Sequence, residues 1–224
     1  MNALRLALAA GCAALTLLAG CAAPAAYDYS AFQAAKPASL LVLPPTNDSP
    51  ELKASPAVWA SATLPLSEAG YYVLPVTLVE QTFQENGVTG AEDAQALPLA
   101  KLRQVFGADA AVYLRVKQYG TSYAVLSSET RVTVEGRIVD LRSGQELWKG
   151  SATSSSAEQQ NQSGGGIIGA LVLAVVKQIA GTVSDASYNY AVITDQRLLG
   201  APRVNGILAG PRSPLYGQPP LTPR

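Results

Sequence analysis

Histidine is absent from the 224 residues, and cysteine occurs only as Cys12 and Cys21. Without histidine there is no Ser-His-Asp relay and no imidazole ligand for zinc. Charge of one sign is missing too: 16 Lys and Arg balance 16 Asp and Glu, for a net +0. No basic footprint for nucleic acid follows from such a balance. Aromatic residues make up only 7% of the chain. No pattern in the sequence asks for a cofactor, and what remains is a carboxylate site or no catalysis at all.

What is present begins with an address. Arg5 precedes an apolar run from Leu6 to Leu18, which has the makeup of a secretory signal and falls short of the roughly 20 residues a membrane span needs. The run ends in Leu18-Ala19-Gly20-Cys21, which resembles the lipobox of bacterial lipoprotein signals. That resemblance predicts a signal peptide over residues 1–20, cleavage before Cys21, and acylation of its thiol and freed amine. Cys12 leaves with the signal, so the mature chain has no thiol, no cysteine nucleophile and no disulfide. Its stability must come from apolar burial. With several acyl chains inserted, each CH₂ contributing about 0.8 kcal/mol, anchoring to the membrane is effectively permanent. Ala22 stands where an aspartate often marks inner-membrane retention. The expected place is therefore the outer membrane, facing the periplasm, with surface exposure left open.

The rest reads as one α/β domain, leaning to α+β, over residues 39–199. It is preceded by a flexible lipidated tether over 21–38 and followed by a Pro- and Gly-rich disordered tail over 200–224. Ser39 to Pro44 is a continuous apolar run of strand length, as in a strand buried on both faces. Val58, Trp59, Ala62, Leu66 and Ala69 approximate helical spacing up to Gly70, with a bend or break predicted at Pro65. A short strand over Tyr71 to Pro75 follows, then a helix from Val76 to about Glu85. A second helix is expected from Ala91 to Phe106, through Leu97, Leu102 and Val105, with Gly107 as its stop.

The period then changes from helical to alternating. Val112, Leu114 and Val116 face one way, and Tyr113, Arg115 and Lys117 the other. A turn near Gly120 is expected to lead into alternation from Thr130 to Asp140. Arg142-Ser143-Gly144-Gln145 forms a hairpin turn before the strand from Glu146 to Thr153. The fold class is thus a mixed sheet, with a parallel βαβ start, an antiparallel meander, and helices packed on the sheet. After Gly164-Gly165-Gly166, a hinge lacking the Lys of a nucleotide loop, comes an apolar helix. The first reading of it is a helix packed on the sheet; the second makes Ile167, Ile168, Leu171, Val172 and Val175 a candidate interaction face. The helix continues to Leu199, turning amphipathic through Val183, Ala186, Tyr190 and Ile193.

Candidate chemistry is sparse. Asp48 and Glu51 follow the first strand, where α/β sheets often bind ligands, and a carboxylate pair there can do acid and base work on a glycan. Asp140 and Gly144 fit turn chemistry. Trp148 fits the core, with an indole N–H that requires a partner. Glu92-Asp93 suits a helix N-terminus. Tyr113 and Tyr119, with Arg115 and Lys117 between them, mix aromatic and cationic groups as protein interfaces do, a mixture that equally suits a face under the edges of the helices.

Leu41-Val42-Leu43-Pro44-Pro45-Thr46-Asn47, Gly70 to Pro75, Phe106 to Ala110 and Asp140 to Trp148, in that order, resemble periplasmic domains of the TolB amino-terminal type. More narrowly, over Ser39 to Leu199, they resemble a family of bacterial lipoproteins of unassigned function typified by a meningococcal surface-antigen candidate. Relatives of that domain type include curli-secretion lipoproteins and lipoprotein activators of peptidoglycan synthases. The resemblance implies a noncatalytic accessory subunit of an envelope secretion or assembly complex, working through protein contacts. Envelope proteins such as a curli-secretion-like lipoprotein, or further copies of the chain, are the implied partners besides the membrane. An activator of cell-wall synthesis, a carboxylate-based glycan or peptidoglycan hydrolase, and small-ligand binding near the first strand are the alternatives.

Overall fold

The computed structural model describes residues 25–124, 127–161 and 186–223. Thirteen elements follow in order: α1 (Ser30–Ala35), β1 (Ser39–Val42), β2 (Thr46–Asn47), α2 (Ala54–Glu68), β3 (Tyr72–Val73), α3 (Val76–Glu85), α4 (Ala91–Ala96), α5 (Leu99–Phe106), β4 (Ala110–Ala124), β5 (Ser127–Asp140), β6 (Glu146–Ser155), α6 (Ser156–Asn161) and α7 (Ala186–Leu199). The strands form one sheet in the order β3-β1-β4-β5-β6, and β2 also pairs with β4. β1 runs parallel to β3 and to β4, whereas β4-β5 and β5-β6 are antiparallel. This is the mixed sheet that the change of sequence period predicts.

β1 occupies the interior because it has nothing polar to show. Leu40, Leu41, Val42 and Leu43 are all fully buried, as a strand covered on both faces requires. On one face lie α2 and α7. The indole N–H of Trp59 in α2 donates to the carbonyl of Val42 at 2.9 Å. A Cβ on Gly136 would lie 3.2 Å from both Leu114 in β4 and Leu198 in α7, so this glycine is where the helix settles onto the sheet. Tyr113, Arg115 and Arg137 project from the opposite face, because side chains alternate along a strand. That face carries α4 beside β4, while Glu135, Arg137 and Lys149 on β5 and β6 remain exposed.

Several local expectations need correction. α2 runs without a break through Pro65. A mid-helix proline costs about 3 kcal/mol, but Pro65 and Leu66 are both buried and Pro65 still accepts the Ala69 N–H at 2.9 Å. The segment from Ala91 to Phe106 is two helices rather than one. Leu97, at ψ 142°, is extended, as a residue before proline tends to be, and Val105 is 54% exposed. Gly120 makes no turn. β4 continues through it to Ala124 and pairs with β5 from Ser127 onward, with a bulge between Val116 and Gln118. Tyr113 and Tyr119 are buried, at 5% and 6% exposure, which favours the covered one of the two readings of that face. In α7 the buried face is Ser187, Ala191, Thr194, Asp195 and Leu198, while Ala186 is exposed; Val183 lies outside the described residues.

The largest departures are at the two flanks. Tyr29 and Phe32 are buried, so the segment before residue 39 is already part of the core. Ile207 is buried to 2% exposure, far into the expected tail. Five donors hold this later segment by its backbone. Tyr29 Oη donates to the Gly206 carbonyl at 2.5 Å, Tyr71 Oη to that of Leu208 at 2.6 Å, and the Trp148 indole to that of Asn205 at 3.0 Å. In the reverse direction, the N–H of Gly210 donates to Ala69 O at 2.8 Å and that of Arg212 to Gly70 O at 3.0 Å. A segment poor in apolar side chains is thus ordered through its backbone carbonyls and N–H groups, which composition does not report. Gly70 permits the approach: its φ is +96°, and a Cβ there would sit 2.4 Å from the Ser213 nitrogen.

Candidate functional site

Asp48 and Glu51 do lie past the end of β1, in the loop after β2. Arg115 Nε donates to both Asp48 oxygens at 3.1 and 2.9 Å, and Lys117 Nζ donates at 2.6 Å. The hydrogen bond from Arg115, then that from Lys117, lowers the carboxyl below its ordinary value. Asp48 is therefore ionised and clamped, which suits a surface tie and not a proton donor. The Glu51 side chain instead lies across Gly120, with its Cγ 3.2 Å from where a Cβ would be. Asp48 is thus tied to Arg115 and Lys117, whereas the Glu51 side chain packs over Gly120. Among the described residues, no cluster of three His, Cys, Asp or Glu groups is placed to hold a metal.

The short motifs in the sequence prove to be joints of the fold. Gly107, at φ 67°, ends α5 in the left-handed conformation. Two residues on, Asp109 Oδ2 accepts the N–H groups of Ala38 and Ser39 and the Ser39 hydroxyl, at 3.0, 3.0 and 2.9 Å. Burial opposes ionisation there, but these bonds outweigh it and the pKa is lowered. Asp140 Oδ1 accepts the N–H groups of Arg142 and Ser143 and the Ser143 hydroxyl, at 3.0, 2.7 and 2.8 Å, which fixes the β5-β6 turn. Arg142 reaches back to Asp109 at 3.2 Å, joining the two motifs. Glu92 and Asp93 stand in the first turn of α4, and Trp148 is in the core at 2% exposure.

The open part of the sheet is a different matter. A groove of about 760 Å³ lies between α4 and the outward side chains of β4, β5 and β6. Arg137 lies over the Tyr113 ring, 4.1 Å from its centroid, and Arg115, Glu135, Glu146 and Lys149 surround the pair. Gln95 of α4 closes one side by donating to the carbonyls of Pro44 and Leu114 at 2.8 and 3.0 Å. Desolvation raises the Tyr113 pKa despite the nearby guanidinium, so the phenol stays neutral. The groove offers an arginine-tyrosine stack and charge of both signs. The tyrosine and the two arginines stand on alternating sequence positions, but the pairing of β4 with β5 that joins them is not written in either strand alone.

Asp195, on α7, is a site residue that hydropathy overlooks. It is fully buried, and its carboxyl is pushed up to about 8 by that burial against the pull of a Ser61 hydrogen bond. Its spacing of four from Ala191 and three from Leu198 was the available signal.

Cys21 and the candidate face of Ile167, Ile168, Leu171, Val172 and Val175 lie outside the described residues, as does the hinge at Gly164 to Gly166.

The chain is similar over its length to lipoprotein NMB1124/NMB1162 of Neisseria meningitidis serogroup B (strain ATCC BAA-335 / MC58), at 48% identity over 204 residues, covering 90% of this chain and 94% of that protein. It also resembles the crystal structure of lipoprotein GNA1162 from Neisseria meningitidis, with a TM-score of 0.52 and 49% identity, over 65% of this chain and all (100%) of that one. A looser likeness is to the LpoB C-terminal domain from Salmonella enterica, with a TM-score of 0.39 and 15% identity over 52% of this chain and 82% of that domain. The family model described as "Putative lipoprotein GNA1162-like" matches residues 27–212, a span that takes in both packed flanks as well as the sheet, and the chain belongs to this GNA1162-like lipoprotein family.

Proposed function

We propose that this chain is a noncatalytic lipoprotein, acylated at Cys21 and anchored in the outer membrane, that serves as an accessory subunit of an envelope secretion or assembly complex. The observation that carries the reading is the groove over β4, β5 and β6. Its arginine-covered tyrosine, ringed by Arg115, Glu135 and Lys149, has the composition of a protein-recognition surface, where aromatic residues and arginine concentrate. Membership of a lipoprotein family and the Leu-Ala-Gly-Cys ending at Cys21 support the anchor.

The test is crosslinking in intact cells from a photoreactive residue at Arg137 or Ser151, with mass spectrometry of the captured species. Capture of a defined envelope protein, or of further copies of the chain, is the expected result. Adducts confined to the chain itself at both positions, with the protein purifying as a monomer, would overturn the subunit role.

A further inference from the structure

The segment nearest the proposed anchor is pinned to the domain almost at once. Asn205 Nδ2 donates to the Ala25 carbonyl at 3.0 Å, and its Oδ1 accepts the Tyr27 N–H at 3.1 Å. Tyr27 Oη in turn accepts the Lys149 N–H at 3.1 Å. Only four steps of chain separate Cys21 from Ala25. Fully extended, they reach about 14 Å, less than the radius of gyration of about 16 Å expected for a domain of roughly 200 residues. A domain acylated at Cys21 is therefore not lifted off the membrane, and the surface that meets the bilayer must be the one around Ala25 and Asn205.

That surface has the chemistry of an interface. Asn205 is flanked by Arg203, which is exposed, and by Val204, which is 50% exposed. Arg203 and Leu221 line one small cavity together with Tyr29 and Pro220, which brings Leu221, 47% exposed, to the same side. Residues 200–223 contain Arg203 and Arg212 and no Asp or Glu, with Arg212 lying over the Tyr72 ring. The nearby Asp28 is exposed and accepts the Ser30 N–H at 2.9 Å, a bond that lowers its pKa and keeps it anionic. Exposed apolar side chains beside the Arg203 guanidinium suit a headgroup layer containing anionic lipid.

We infer that the strap formed by residues 200–223 is the membrane-facing surface of this protein, with Val204 and Leu221 seated in the interfacial layer of a bilayer bearing anionic headgroups. The inference rests on acylation of Cys21. It also orients the molecule, because Leu52, exposed at 91%, lies beside Glu51, which covers Gly120. Gly120 is about 23 Å along β4 from Tyr113, and Tyr113 shares a row with Arg137 and Lys149.

The mature chain holds no other thiol, so nitroxide labels can be placed singly. Full-length Val204→Cys, Leu221→Cys and Leu52→Cys proteins are lipidated in cells and labelled. They are then reconstituted in vesicles of phosphatidylethanolamine and phosphatidylglycerol, and mass spectrometry reports the state of Cys21. The expected result is a several-fold higher ratio of oxygen to aqueous nickel-chelate accessibility at 204 and 221 than at 52. Equal aqueous accessibility at all three positions with Cys21 acylated would overturn the membrane-facing strap and leave the anchor intact. Spin-spin broadening at 204 and 221 would overturn it in favour of a second copy seated there. An unacylated Cys21 would overturn the anchor itself.

Discussion

The hydroxyl of Ser61 on α2 lies 2.5 Å from Oδ2 of Asp195 on α7, in a fully buried contact between the two helices. Ser61 Oγ is also 2.9 Å from the Ala57 carbonyl, yet it has one hydrogen to donate. A neutral Asp195 resolves the competition, since its own O–H can donate to Ser61 while Ser61 donates to Ala57. Oδ1 of Asp195 has no hydrogen-bond partner among the described residues, which also favours the uncharged form.

Stability should therefore fall as pH rises. The folded pKa of about 8 is above the unfolded value of about 3.9, so the native state binds the extra proton between them. The contribution of Asp195 is complete below about pH 4 and is lost as pH climbs through about 8. Asp195→Asn should flatten this dependence and stabilise the protein by about 1 kcal/mol or more at pH 8. Urea unfolding of both forms across pH 4 to 9 measures it, and parallel profiles would disprove the assignment.

Gly70→Ala should release the strap. A Cβ there would meet Ser213 N at 2.4 Å and Gly210 O at 2.9 Å, in a backbone with φ +96°. The loss should be about 2 kcal/mol or more, with faster hydrogen exchange at Gly210 and Arg212 before any change in β4 and β5. Uniform acceleration across the domain would show that the strap is not a separate unit.

Ile207→Ala tests the same segment from its side chain. Removing a residue 2% exposed should cost about 2–4 kcal/mol by denaturant titration. A disordered tail would show no cost.

Asp109→Ala leaves the N–H groups of Ala38 and Ser39 without their acceptor. A loss of about 1–3 kcal/mol is expected at neutral pH. In the wild type, the lowered pKa makes this contribution present above the ordinary carboxylate range and lost as acid protonates the group. Equal acid sensitivity of variant and wild type would refute it.

Arg137→Ala should leave stability nearly unchanged, because the guanidinium is on an exposed position, while abolishing capture from a crosslinker at Ser151. Undiminished capture would remove the Tyr113-Arg137 pair from the recognition surface.

The sheet was legible because its two halves differ in what they must hide. Leu40 to Leu43 are buried on both faces, and Val132, Val134 and Ile138 on one, so a continuous run and an alternation both reach the sequence directly. The joints at Gly107, Asp140 and Gly144 were legible because turn geometry constrains residue type locally. The flanks were not. Tyr29, Tyr71 and Trp148 act on carbonyls more than fifty positions away in sequence, and a carbonyl is the same in every residue. Asp195 was hidden for the opposite reason: a single acid on a stripe of small, hydroxyl and apolar residues reads as a surface residue unless its helical phase is followed. The groove depends on register between β4 and β5, which a one-residue slip would invert.

The clasp between residues 25–29 and 205–206 joins parts of the chain about 180 positions apart. Contacts of such long sequence separation close late, because the intervening loop must be ordered first. A nascent chain cannot make them until nearly all of it has been synthesised. A chain exported as proposed above would therefore stay pliable through a narrow export channel and complete its clasp only on the far side, where the leading segment and the trailing strap first meet.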